Sequence, residues 1–249
     1  MPADYAVLQL YTDRAGENSQ SALIGHLTAM MKREGLSPCG REEAEQTVAF
    51  APCAAGWAVY DDCAERLCIP SMDTLGRGLS RRLRCRGAGL LFSNGERLMR
   101  LYANGRTRDT YITSRQMFGG QIRLYAWADC RRHALHWRPL LKEPAGVREL
   151  AETFSQGQHA AGQEAEPPVF ERLRTLLGMD RAACYGFKSL ELEQPEGLVT
   201  LYFACDTTVK QKLTDRLFGT ARGVGTTAGA CLRQTQRADA GENSPAPKH

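Results

Sequence analysis

The chain has no Cys-x-x-Cys pair, no Gly-x-Ser-x-Gly and no Lys-Ser/Thr placed after its glycines as a phosphate loop requires. It also has no apolar run near the roughly 20 residues that a membrane-spanning helix needs. These absences remove the commonest paired-cysteine sites, the hydrolase nucleophile elbow, the Walker nucleotide site and a helical membrane protein. Histidine is scarce at 5 residues, one of them His249 at the end of the chain. Few candidates for a general base remain. Lysine is scarcer still relative to its partner, 6 residues against 26 arginines.

The start, Met1 to Tyr5, has no basic segment and carries Asp4. The apolar stretch Tyr5 to Tyr11 is broken by Gln9 and reads as a strand, not a secretory leader. The expectation is a cytoplasmic protein with no membrane contact. Nine cysteines, at 39, 53, 63, 68, 85, 130, 184, 205 and 231, are odd in number and dispersed. That pattern does not suit an exported disulfide framework, so reduced thiols are expected.

What is present suits a globular protein. The 249 residues are 43% hydrophobic and 24% charged, enough for a packed core in one large domain or two small ones. The net charge of +4 hides an asymmetry: residues 1–76 carry −6, residues 77–138 carry +11 with no lysine, and residues 139–249 carry −1. Two readings follow. Compositional bias could set the basic middle against the acidic first third inside one fold. Alternatively the arginines form an anion-binding surface, since guanidinium meets phosphate bidentately. The candidate anion-binding residues are Arg77, Arg81, Arg82, Arg84, Arg86, Arg97, Arg106 and Arg108.

The expected fold class is α+β: an antiparallel meander with packed helices, then a smaller helix–hairpin–helix segment. Ser19 or Ser21 caps a helix running to about Glu34, with Gly35 as its stop. Residues 47–51 and 56–60 are short strands around Pro52. Ser71 caps a second helix in which Leu75, Leu79 and Leu83 face a core, while Arg77, Arg81 and Arg84 form a stripe on another face. Asn94-Gly95 and Asn104-Gly105 suit two-residue type I′ turns and predict a three-stranded meander over 88–112. Flush pairing then sets Leu91 opposite Leu98, Leu90 opposite Met99, Leu98 opposite Tyr111 and Arg100 opposite Asp109.

Residues 121–128 read as a strand and 147–154 as a short helix, closing an α+β domain over 1–154. Residues 155–168 read as a linker. Pro168 opens a helix to about 177 with Gly178 as its stop. A hairpin over 184–192 and 198–205 and a helix over 207–218 complete a segment, 169–218, that packs on the same core or forms a small lobe. Residues 219–249 read as a flexible to disordered tail.

Cys130, His133 and His136 are zinc-competent by residue type. Steps of three drift around a helix, no fourth ligand is evident, and Arg131 and Arg132 oppose a cation; no metal and no cofactor are expected. Cys63 and Cys68 sit beside Asp61 and Asp62, which suppress thiolate formation. The glycines at 219, 223, 225 and 229 read as a flexible exit from the last helix.

Several segments carry a resemblance. Asp73-Thr74-Leu75-Gly76-Arg77-Gly78-Leu79-Ser80, Leu90-Leu91-Phe92, Leu98 to Gly105 and Asp109-Thr110-Tyr111 resemble a family of bacterial proteins of unknown function. Trp137-Arg138-Pro139-Leu140-Leu141, Leu176 to Met179 and Tyr185-Gly186-Phe187 are similar to its later segments. The likeness spans about residues 56–190. It implies one fold and no activity. Where that family has an acidic hairpin turn, this chain has Ser93-Asn94-Gly95-Glu96.

Three functions are weighed. The leading one is a non-enzymatic protein-interaction module, of regulatory or immunity type, whose partner is another protein met by strand addition or beside the arginine helix. The alternative is a polyanion or nucleic-acid binder using the arginines of 77–108. The third is an enzyme assembled from distant residues, which a carboxylate beside His133 or His136 in a deep pocket would favour; no catalytic residue is assigned.

Overall fold

The computed structural model describes residues 4–12, 17–66, 68–93, 96–113, 129–141, 146–159, 168–179, 187, 189–190 and 194–205. They build an α+β fold, an open sheet of eight antiparallel strands between two helical layers. The strands are β1 (Asp4–Tyr11), β2 (Leu36–Pro38), β3 (Gln46–Cys53), β4 (Gly56–Asp61), β5 (Arg86–Ser93), β6 (Glu96–Ala103), β7 (Arg106–Ile112) and β8 (Val199–Cys205). Their order across the sheet is β2-β8-β3-β4-β1-β5-β6-β7. One face carries α1 (Glu17–Arg33), the short α2 (Asp62–Glu65) and α3 (Ile69–Arg82). The other carries α4 (Cys130–Trp137), α5 (Val147–His159) and α6 (Pro168–Leu176). No described helix is long and apolar enough to cross a membrane.

Side chains alternate across a strand, so each strand serves two cores. Ala6, Leu8 and Leu10 of β1 pack toward α1 and α3, while Tyr5 and Val7 pack toward α4 to α6. A sheet covered on both faces needs apolar residues on both, which is why the central strands read as nearly continuous apolar runs.

α3 is fixed by close approach and by a carboxylate. Gly76 lies against the Tyr102 ring, where an added Cβ would meet ring carbons at 2.4 Å. Asp73 accepts from the Tyr102 hydroxyl at 2.9 Å, from Arg77 at 3.1 Å and from the buried Arg100. The helix opens earlier than Ser71, at Ile69 with Pro70 in its first turn. Ser71 caps nothing; its hydroxyl donates to the buried Asp61.

The meander forms as its turns dictate, up to one point. Leu91 pairs with Leu98 and Leu90 with Met99; the Asn94-Gly95 turn lies outside the described residues. Asn104 (φ 53°) and Gly105 (φ 75°) make the expected left-handed pair. Beyond it the register shifts: Tyr102 faces Thr107, but Leu101 faces Asp109. Arg108 is therefore an extra residue, a β-bulge that moves everything after it by one. Leu98 faces Ile112 instead of Tyr111, and Arg100 faces Thr110 instead of Asp109. A shift of one reverses faces, so the expected Arg100–Asp109 pair does not form and Asp109 points toward α4.

The later chain also departs from expectation. α5 runs to His159, through the first part of the expected linker. β8 forms no hairpin with 184–192 among the described residues: Phe187, Ser189 and Leu190 are helical, and β8 pairs with β2 and β3 inside the sheet. The expected strand at 121–128, helix at 207–218 and tail at 219–249 lie outside the described residues.

Candidate anion-binding site

Five strands, β1 and β3 to β6, begin or end at one end of the sheet, and there the backbone leaves a cleft of about 660 Å³. It is lined by residues 11–12, 53–56, 84–86, 103–104 and 139–140. Topology gathers them. β1 ends at Tyr11, the β3–β4 turn spans Cys53 to Gly56, β5 begins at Arg86, and Asn104 stands in the β6–β7 turn. Pro139 and Leu140 come from the 3-10 turn that follows α4.

Two arginines belong to this lining, Arg84 and Arg86, both exposed. Arg84 sits in the connection from α3 to β5 with φ 51°. Beside the cleft, the Arg81 side chain covers the β6–β7 turn, its carbons 3.1 Å from the position a Cβ on Gly105 would take. Arg86 pairs across to Ala103, which pairs across to Arg106. Strand spacing puts those two arginines about 10 Å apart. Arg108, the bulge residue, is exposed on β7, the last strand of the sheet. Among the described residues, none of Arg81, Arg84, Arg86, Arg106 and Arg108 has a carboxylate partner.

The other candidates fall elsewhere. Arg77 is held by Asp73 and donates to the Thr107 hydroxyl at 3.0 Å. Arg82 is half-buried; His26's own burial first, and the Arg82 charge second, lower the pKa of His26. Arg97 is a correction: it is 1% exposed on the opposite face, its guanidinium 4.3 Å from the centre of the Phe92 ring. Strand alternation forces this. Arg97 shares a face with Met99 and Leu101, under α4 to α6. Arg84 also leaves the expected helical stripe, since α3 ends at Arg82.

The cleft offers charge and hydrogen bonds, not an activated nucleophile. Burial pushes the Cys85 thiol up to about 11 and holds the Tyr11 hydroxyl far above its ordinary range. The Tyr11 hydroxyl donates to the Leu177 carbonyl at 3.0 Å. The Thr12 hydroxyl is buried without a hydrogen-bond partner among the described residues.

A carboxylate does stand beside both histidines. Asp109 Oδ2 lies 2.8 Å from His133 Nδ1 and 2.7 Å from Trp137 Nε1, and Oδ1 lies 3.2 Å from His136 Nδ1. Positions 133, 136 and 137 share one face of α4, so one buried oxygen pair clamps the helix to β7. His133 is 2% exposed and neither histidine lines the cleft, so the group reads as a structural clamp. No cluster of metal-ligating side chains occurs among the described residues.

No protein-family model, no curated protein and no solved structure matches this chain. The site therefore rests on geometry alone. Sequence spacing found the arginines and the β3–β4 turn but not that this turn and Thr12 join them, because only the strand order brings residues 12, 55 and 86 together.

Proposed function

We propose that this protein binds a polyanion, nucleic acid by class, through the arginine-bearing end of its sheet. One observation carries the reading: five exposed arginines from α3, the α3–β5 connection, β5 and β7 gather at one end or edge of the sheet without carboxylate partners among the described residues. The acidic first third contributes Asp73, which takes Arg77 and Arg100 and leaves those five free to meet phosphate.

Docking of a protein by strand addition has less support. One sheet edge is β2, three residues ending in Pro38, and the other is β7, interrupted by a bulge and carrying Arg106 and Arg108. Short, charged and bulged edges resist pairing with another chain. Leu135 is the exposed large apolar side chain found among the described residues, so no apolar patch marks an interface there.

Fluorescence anisotropy with a labelled oligonucleotide over a salt series tests the reading. About five phosphate contacts predict an affinity that falls roughly a hundredfold between 50 and 200 mM salt. Arg81→Glu with Arg106→Glu removes binding while leaving the fold, since both side chains are exposed. Absent binding at low salt, or affinity indifferent to salt, refutes the proposal.

A further inference from the structure

Three helices end in the same way, and one of them ends on the wrong residue. α1 is followed by Gly35 at φ 82° and α6 by Gly178 at φ 61°. After α6 the Met179 amide closes on the Arg174 carbonyl at 2.9 Å; after α3 the Cys85 amide closes on the Ser80 carbonyl at 3.2 Å. Both are left-handed helix caps of the type that glycine favours. The residue in that position after α3 is Arg84, at φ 51°. A bulky side chain is disfavoured there, and such strain persists where the side chain is used.

Arg84 lines the cleft, and Arg86 joins it two residues later. Thr12 belongs to the same lining, its hydroxyl buried against the β3–β4 turn at Gly56. Arg81, Arg106 and Arg108 stand outside it. A volume of about 660 Å³ bounded by five chain segments suits a unit of nucleotide size, not a strand running through. A terminal phosphate carries nearly two charges near neutral pH and offers three oxygens, enough for two guanidinium groups. An internal phosphodiester carries one charge.

Resting on the polyanion reading, we infer that the cleft recognises the phosphate-bearing end of a nucleic-acid strand. Arg84 and Arg86 take the terminal phosphate, and Arg81, Arg106 and Arg108 take phosphates further in.

The test uses the full chain and one internally labelled oligonucleotide in three forms: 5′-phosphorylated, 3′-phosphorylated and hydroxyl at both ends. One phosphorylated form binds about tenfold tighter than the hydroxyl form, as charge-assisted contacts require. Arg84→Gly abolishes that preference, weakens the phosphorylated form more than the hydroxyl form, and raises the melting temperature because glycine suits the cap. Arg81→Gln with Arg106→Gln weakens all three forms alike. Equal binding of the three forms, or a preference that survives Arg84→Gly, overturns end recognition by this cleft and leaves the polyanion reading standing. No binding of any form at low salt overturns both.

Discussion

Asp62 lies where α2 leaves β4, beside the buried Asp61. Its Oδ1 accepts from the Thr47 amide at 3.1 Å, and Arg66 reaches its other oxygen at 3.5 Å. Burial first, and the neighbouring Asp61 second, raise its pKa from 3.8 to about 6 against those two favourable contacts. The folded chain therefore holds this proton more tightly than the unfolded chain does. The stabilisation is complete below about pH 3.8 and is lost as pH rises through 6. Relative to Asp62→Asn, the native protein loses about 2 kcal/mol of unfolding free energy between pH 4 and pH 7. Urea melts of the two proteins across that range measure it, and parallel pH profiles exclude it. Arg100 shows what was hidden at this scale. Its partner is Asp73, 27 residues away on α3, while the sequence points to a cross-strand neighbour. Turn residues reveal strand pairing; a helix laid over the sheet supplies partners that no local pattern records.

At the scale of elements, apolar spacing revealed α1, α3 and α6, because each buries a stripe that repeats within a few residues, while short apolar runs around Pro52 and the Asn-Gly turns revealed β3 to β7. The bulge at Arg108 was not legible. Asn104-Gly105 specifies a flush hairpin, and either Tyr111 or Ile112 makes an acceptable partner for Leu98. The register is decided from outside, by α4: Asp109 must reach His133, 24 residues on, and Trp137. Without the extra residue Asp109 would point at α3, where Asp73 already holds Arg100 and Tyr102. Asp109→Ala leaves the buried Trp137 indole and His133 imidazole without their acceptor and costs about 3 kcal/mol of stability. Asp109→Asn keeps one acceptor oxygen and costs less. Chemical denaturation of both variants decides this; a loss below about 1 kcal/mol for Asp109→Ala means that the clamp contributes little.

At the scale of the whole molecule, the least local feature is β8, which a sequence reading pairs with its own neighbour. It lies between β2 and β3, and its Cys205 amide donates to the Glu45 carboxylate across 160 residues of chain. β2 has β8 as its strand partner, and β3 has β8 on the side away from β4. Phe203, 1% exposed, completes the core beneath α1. Ending the chain after Met179 therefore removes more than a terminal strand. β2 is left unpaired, and the Gln46 to Phe50 edge opens beside the emptied site of Phe203. An edge of that length, flanked by Val48 and Phe50, recruits strands from other chains. The shortened chain is expected to aggregate or to bind a hydrophobic dye without a cooperative melt, while the full chain unfolds in one transition. Sedimentation and thermal denaturation distinguish the two. A monomeric fragment with a sharp melt would mean that the six remaining strands hold the sheet, and that β8 is an accessory to the arginine end instead of a condition for it.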